Sequence, residues 1–172
     1  LHVEGIIACL AQNTTDYHHF EEIAEMGIPL VFFGRTCLTD RFSNVTANGD
    51  EAAQLATQHL IDTGSRRIAF IGGPNHLDMV RRRKHGYLEA LRENRIPIDR
   101  DIVTFAAFTA IKQCGLRIPD DVALIGFTDD VHAAYVTPRM SAIEDQSHLM
   151  GVAACQLLLK SINGDPKVYK QI

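Results

Sequence analysis

The feature that most constrains this chain is an alternation of short, unbroken apolar runs with longer amphipathic stretches. The runs are VEGIIA at 3–8, LVFF at 30–33, IAFI at 68–71 and VALIGF at 122–127. They lack the strict apolar–polar alternation of a half-exposed strand, so each reads as a strand buried on both faces. The intervening stretches have helical spacing. In 17–26, Tyr17, Phe20, Ile23 and Ala24 share one face, Asp16 stands where a cap is expected, and Gly27 stops the pattern. Asp50 is expected to cap a second helix to about residue 63, with Ala52, Leu55, Ala56, His59 and Leu60 as its stripe and Gly64 at its end. A third helix is expected over 78–94, a helical stretch over 108–114, and a last helix over 147–162, closed by Asn163-Gly164. Strands alternating with helices imply an α/β fold with parallel sheets covered on both faces. Ligands in such folds sit beyond the carboxyl ends of the strands. Those ends fall here at 34–35, 72–75 and 127–130, the last a Phe127-Thr128-Asp129-Asp130 tip.

Composition narrows the class. Of the 172 residues, 46% are hydrophobic and 22% charged, the balance of a soluble globular chain large enough for one domain or two small lobes. No apolar run approaches the ~20 residues that span a bilayer, and the opening Leu1-His2-Val3-Glu4 does not read as a signal peptide. The net charge of −4 lacks the basic excess of a free-standing nucleic-acid binder, so any DNA contact is expected from a segment outside these residues. The four cysteines form no CxxC pair, which argues against a zinc or disulfide framework and for reduced thiols in the cytosol. Cys9 and Cys114, flanked by apolar residues, read as small core hydrophobes.

Signals for catalysis are weak. The Thr128-Asp129-Asp130 tip offers two carboxylates, too few oxygen ligands for a hard cation. Two readings remain open for it: contact with a ligand at a strand end, or capping of the following backbone turn. The run Arg81-Arg82-Arg83-Lys84 is not a phosphate patch, because consecutive helical residues point ~100° apart and at most one or two can face a cleft. No HExxH, GxSxG, GxGxxG or GxxxxGK[ST] pattern occurs. The expectation is therefore no enzyme, no metal and no cofactor.

One junction is discordant. Residues 99–105 read as a loop entering a strand, yet they join directly to Ala106-Ala107-Phe108, which reads as mid-helix. No turn residue separates them, so a segment is expected to be missing between Phe105 and Ala106.

The motifs taken together resemble the effector-binding core of LacI/GalR-family transcriptional regulators. VEGIIA resembles the family's V-D-G-I-I strand, and GIPLVFFGR at 27–35 its G-I-P-V-V-x-x-x-R. HLIDTGSRRIAFIGGP at 59–74 and RKHGYLEAL at 83–91 resemble H-L-x-x-x-G-H-R-R-I-A-x-I-x-G and R-x-x-G-Y-x-x-A-L. GLRIPDDVALIGFTDD at 115–130 and TPRMSAI at 137–143, with Gly151, follow the same order. The resemblance runs over nearly the whole chain. It implies two Rossmann-like lobes with parallel sheets joined by three crossovers, a periplasmic-binding-protein-like type I fold, incomplete here. It assigns 1–47 with 147–164 to a partial N-terminal lobe and 48–146 with 165–172 to the C-terminal lobe. The family's helix-turn-helix DNA-binding domain, its first strand and helix, and a stretch between the equivalents of Phe105 and Ala106 have no counterpart.

What the resemblance implies for function is the sensing of a small, carbohydrate-like effector between the lobes by a cytoplasmic, homodimeric regulator. That regulator would bind operator DNA through its separate N-terminal domain and would have no membrane partner. The alternative is a periplasmic solute-binding protein for transport or chemotaxis. Arg83 matches the family arginine that binds effector oxygens. Thr128 stands where most members carry an aspartate, and Asp145 where a glutamine is common. Asp129, Gly34 and Met79 complete the expected effector site, with Phe127 and Thr128 at the mouth of the cleft.

Overall fold

The computed structural model describes residues 3–11, 13–73, 75–98, 111, 114–127, 141–144, 146–164 and 169–172. In chain order the elements are β1 (Ile6–Ala8), α1 (His18–Glu25), β2 (Leu30–Phe33), β3 (Ser43–Thr46), α2 (Gly49–Asp62), α3 (Asp78–Glu93), β4 (Ile125–Phe127), β5 (Ser141–Ile143), α4 (Ser147–Ile162) and β6 (Tyr169–Gln171). The chain divides into two compact units, one of Leu1–Asn48 with Gln146–Ile172, the other of Gly49–Asp145.

The first unit is a four-stranded, all-parallel sheet in the order β1-β2-β3-β6. Side chains of β2 alternate between its faces. Leu30 and Phe32 point to one side with Leu10, Cys37 and Phe42, closed by Tyr17 and Phe20 around α1. Phe32 meets Phe20 and Phe42 edge-on at centroid distances of 4.9 and 5.5 Å, the arrangement that aromatic quadrupoles favour. Val31 and Val45 point to the other side, against Met150, Ala153, Ala154 and Leu157 of α4. Those four follow the i, i+3, i+4, i+7 spacing of one helical face, and the two alanines let the helix lie close to the sheet. The opposite face of α4 is also apolar, with Leu149, Val152, Leu159 and Ile162 exposed.

Local chemistry sets the ends of the elements. The Asp16 carboxylate accepts the His18 backbone N–H at 3.0 Å, but from one position before the N-cap, which is Tyr17 and not Asp16 as expected, because α1 starts one residue later than its apolar spacing suggests. Gly27 and Gly64 adopt φ of +73° and +102° just past α1 and α2, where a side chain would be strained. Asp50 differs from expectation. It lies inside α2 rather than capping it, and accepts instead from His85 Nδ1 at 2.9 Å. β3 carries no apolar run in its sequence, SNVT, yet all four residues are buried. Ladders on both sides satisfy its backbone, and the Asn44 Nδ2 donates to the Phe42 carbonyl at 3.0 Å.

Two further expectations are corrected. Residues 165–172 do not all belong with the C-terminal lobe, because β6 pairs in parallel with β3 (Asn44 opposite Tyr169). Backbone bonds from Ile172 N–H to Thr46 and from Asn48 N–H to Ile172 fix that placement in the first unit. Cys9 and Cys114 are exposed, and the buried thiol is Cys37. At Cys9, which follows β1, flanking apolar residues mislead because the outward position at a strand end alternates into solvent; Cys114 lies in a turn before Gly115. Burial pushes the Cys37 thiol up to about 11. At pH 8 a thiol-specific reagent should therefore modify the exposed Cys9, Cys114 and Cys155 promptly, while Cys37 reacts only when the unit opens. Prompt modification of Cys37 in the native protein, read by peptide mass, would contradict its placement.

In the second unit α2 packs along α3. Ile61, Tyr87 and Leu91 form its buried centre, with Ile68, Phe70, Leu88 and Ile96 around them. Residues 68–71, expected as a strand, belong to no ladder among the described residues. They serve as a packing surface instead: Phe70 stacks on Tyr87 at 5.5 Å, and the Tyr87 hydroxyl donates to the Ile68 carbonyl at 2.8 Å. β4 and β5 pair in parallel, placing Phe127 opposite Ile143. The expected helical stretch at 108–114 and the discordant Phe105-Ala106 junction lie outside the described residues, apart from Ile111 and Cys114.

Candidate functional site

In the second unit, α3 presents its basic run in different directions, as helical geometry requires. Arg81 is exposed and donates to the carbonyls of Asn75 and His76 and to Asp78. Arg82 lies between Asp78, with its Nε 2.6 Å from the carboxylate, and Asp50, 3.7 Å away. With His85 hydrogen-bonded to Asp50, these groups form a chain of polar contacts linking α2 to α3. Each pair is partly exposed, so it orients the helices more than it stabilises them. The Asp78-to-Arg82 pair was legible as an i, i+4 spacing. The pairing of His85 with Asp50 had no local signal.

Arg83 is different. Its stem packs against the start of α2, where a Cβ placed on Gly49 would lie 3.4 Å from its Cγ. Its Nε is in the interior. Its guanidinium lies over the Phe127 ring, 4.2 Å from the centroid. Phe127 is the last residue of β4, at the carboxyl end of that strand, where α/β folds bind ligands. Met79, half-buried, stands one turn before Arg83 on the same helical face. The structure thus brings Arg83 and Phe127 into contact, with Met79 on the adjacent turn.

Gly34 belongs to the first unit. It follows β2 with φ of +69°, and its N–H donates to the Val45 carbonyl at 2.9 Å. The neighbouring Arg35 turns its Nε onto the Leu10 carbonyl, tying together the carboxyl ends of β1 and β2. Thr128, Asp129 and Asp145 lie outside the described residues.

The other carboxylate pair in this region, Asp120-Asp121, is structural. The Arg117 guanidinium, and then its backbone N–H, hold the Asp121 carboxyl below the usual range. The N–H and Nε contacts are 2.9 and 3.0 Å. Among the described residues no three His, Cys, Asp or Glu side chains converge as a metal set, and no helix is long and apolar enough to cross a membrane.

Residues 2–105 match the sequence profile of periplasmic binding proteins and the sugar binding domain of the LacI family, and residues 96–172 match that of a periplasmic binding protein-like domain. The chain is 29% identical over 194 residues to a probable HTH-type transcriptional repressor, ExuR, of Bacillus subtilis, covering 93% of the chain and 58% of that relative. It is 28% identical over 200 residues to the HTH-type transcriptional regulator CelR of Thermobifida fusca, covering 95% and 58%. Both alignments are longer than the 172-residue chain, so the relatives carry intervening residues that have no counterpart here. The chain spans less than two thirds of each relative's length. Its fold is that of the transcriptional regulator CelR solved in complex with cellobiose, with a TM-score of 0.88 at 26% identity, covering 99% of this chain and 63% of that one.

Proposed function

From the premise that the chain belongs to the LacI family of periplasmic-binding-protein-like domains, we propose that it is the effector-sensing core of a DNA-binding transcriptional regulator. A small metabolite, carbohydrate-like in its hydroxyls, binds between the lobes and favours one of their relative orientations. It does so only by contacting the two orientations unequally. In a cytoplasmic homodimer that shift changes the spacing of two helix-turn-helix domains and hence operator affinity. The chemistry is binding, with no catalytic group, metal or cofactor required.

The observation that carries this reading is Arg83 at the mouth of β4, seated on Phe127. Arg presents a planar fork of donors suited to paired oxygens. In this reading Thr128, Asp129 and Asp145 add hydrogen-bonding groups, while Gly34 and Met79 line the pocket without charge. The pairing of a helix-turn-helix regulator name with each relative supports a regulator over an exported solute-binding protein. A partial N-terminal lobe is supported by β1 standing at the sheet edge among the described residues and by the exposed apolar face of α4. Intervening residues in the relatives support an internal segment missing from this chain, which this reading puts after Phe105 on the discordant junction there.

A thermal-shift screen of the full-length protein against cellobiose, pentoses, sugar acids and nucleosides tests the proposal. Ligand at a hundredfold excess over its Kd stabilises the native state by about 2.7 kcal/mol, or roughly 5–10 °C for a unit of this size. No stabilisation across the whole panel would count against a carbohydrate-like effector.

A further inference from the structure

We infer that Arg35 is an anion-binding group at the carboxyl edge of the first unit's sheet, and that the effector carries a carboxylate or phosphate for it to hold; the second half of this inference rests on the sensing role proposed above. Two bonds lock the residue across the ends of β1 and β2. The Leu10 N–H donates to the Arg35 carbonyl at 3.2 Å, and the Arg35 Nε donates back to the Leu10 carbonyl. The guanidinium is thereby fixed at a strand end instead of trailing in solvent. Its Nε–H is one of five donors. The others, on the two terminal nitrogens, meet no acceptor among the described residues. Carboxylates around α1 are engaged elsewhere: Glu21 pairs with Arg41, Glu22 lies 3.4 Å from His18, and Asp16 takes the His18 backbone N–H.

The backbone beside Arg35 is bare. Gly34 holds φ of +69°, a conformation that a side chain would strain. Apart from Cys9 Sγ at 3.6 Å, nothing beyond its chain neighbours lies within 4 Å of a Cβ built there. The carboxyl ends of parallel strands are where such folds take ligands. A planar pair of terminal amino groups matches two oxygens of a carboxylate or phosphate. A neutral hydroxyl gains less, because charge-assisted hydrogen bonds between two ions are about twice as strong as neutral ones. The half-buried side chain is already ordered by its bond to Leu10, so it has little rotamer freedom left to lose on binding.

Calorimetric titration of the full-length protein with two matched series tests this: glucose, glucuronate and glucose 6-phosphate, then galactose, galacturonate and galactose 6-phosphate. At least one anionic member should bind about 10- to 150-fold more tightly than its neutral counterpart, the range that one charge-assisted contact supplies. The carboxylate and phosphate arms tell which anion is held. Arg35→Gln should remove the preference, and Arg35→Lys, which keeps the charge and loses the fork, should retain part of it. In the wild type, the preferred anion should protect Arg35 from modification by phenylglyoxal, read by peptide mass, and the neutral sugar should not. Neutral sugars that bind as tightly as both anionic counterparts, a preference that survives in Arg35→Gln, or an Arg35 modified at one rate with and without the anion would overturn the inference. So would a panel in which no anionic member binds. The sensing role fails separately, if an anion binds through Arg35 and operator affinity does not respond to it.

Discussion

Arg83→Ala is expected to abolish the thermal stabilisation given by any true effector while leaving the apo protein folded. Truncating one partner of a desolvated, charge-assisted contact costs about 2–5 kcal/mol, or at least ~30-fold in Kd. The side chain is half-buried, and its contributions to the free protein include packing on Gly49 and the contact with Phe127. Arg83→Lys should fall between the two, since it keeps the charge and loses the fork. Calorimetric titration of the three proteins with the most stabilising compound of the panel measures the series. Wild-type affinity in Arg83→Ala would remove this residue from the site.

The second large effect concerns stability alone. Gly86 is buried where α3 crosses the start of α2, and a Cβ there would overlap the carbonyl oxygen of Asp50. The obstacle is backbone, so no rotamer change relieves it, and the helices must separate. Overpacking of that kind costs about 3 kcal/mol at the upper end of the usual range, against a helix-propensity gain of about 1 kcal/mol for replacing glycine by alanine. Gly86→Ala should therefore lower the unfolding free energy by roughly 2 kcal/mol, or about 4–8 °C in Tm. The same substitution at Gly151 has the opposite sign. That glycine lies in α4 with nothing within 4 Å of a built Cβ, so Gly151→Ala should stabilise by about 0.5–1 kcal/mol. Denaturant titration of both variants reads the pair. A neutral Gly86→Ala would mean that α2 and α3 pack more loosely than described.

Much of the scaffold was legible because its signals are local. LVFF reads as a buried strand, and it is β2; the helix expected over 147–162 is α4 with those bounds. Gly27 and Gly64 ended their helices for the reason glycine usually does. What escaped was non-local. SNVT becomes β3 because two neighbouring strands satisfy its backbone, and no residue within it announces that. Residues 169–171 are a strand for the same reason. IAFI was read as a strand on hydrophobicity alone, but a strand also needs a partner, and among the described residues it has none. At the site, helical geometry could separate Arg83 from its three basic neighbours. Only tertiary structure could seat it on Phe127, 44 positions away in the sequence. The departures at Thr128 and Asp145 were visible only against the family pattern, and both lie outside the described residues.

Operator titration by the full-length protein, with and without the compound that stabilises it most, tests the central claim most directly. If the bound metabolite shifts the equilibrium between lobe orientations, the midpoint of operator binding should move about 5- to 150-fold, and the shift should vanish in Arg83→Ala. Superimposable isotherms for every compound that stabilises the protein would contradict the account.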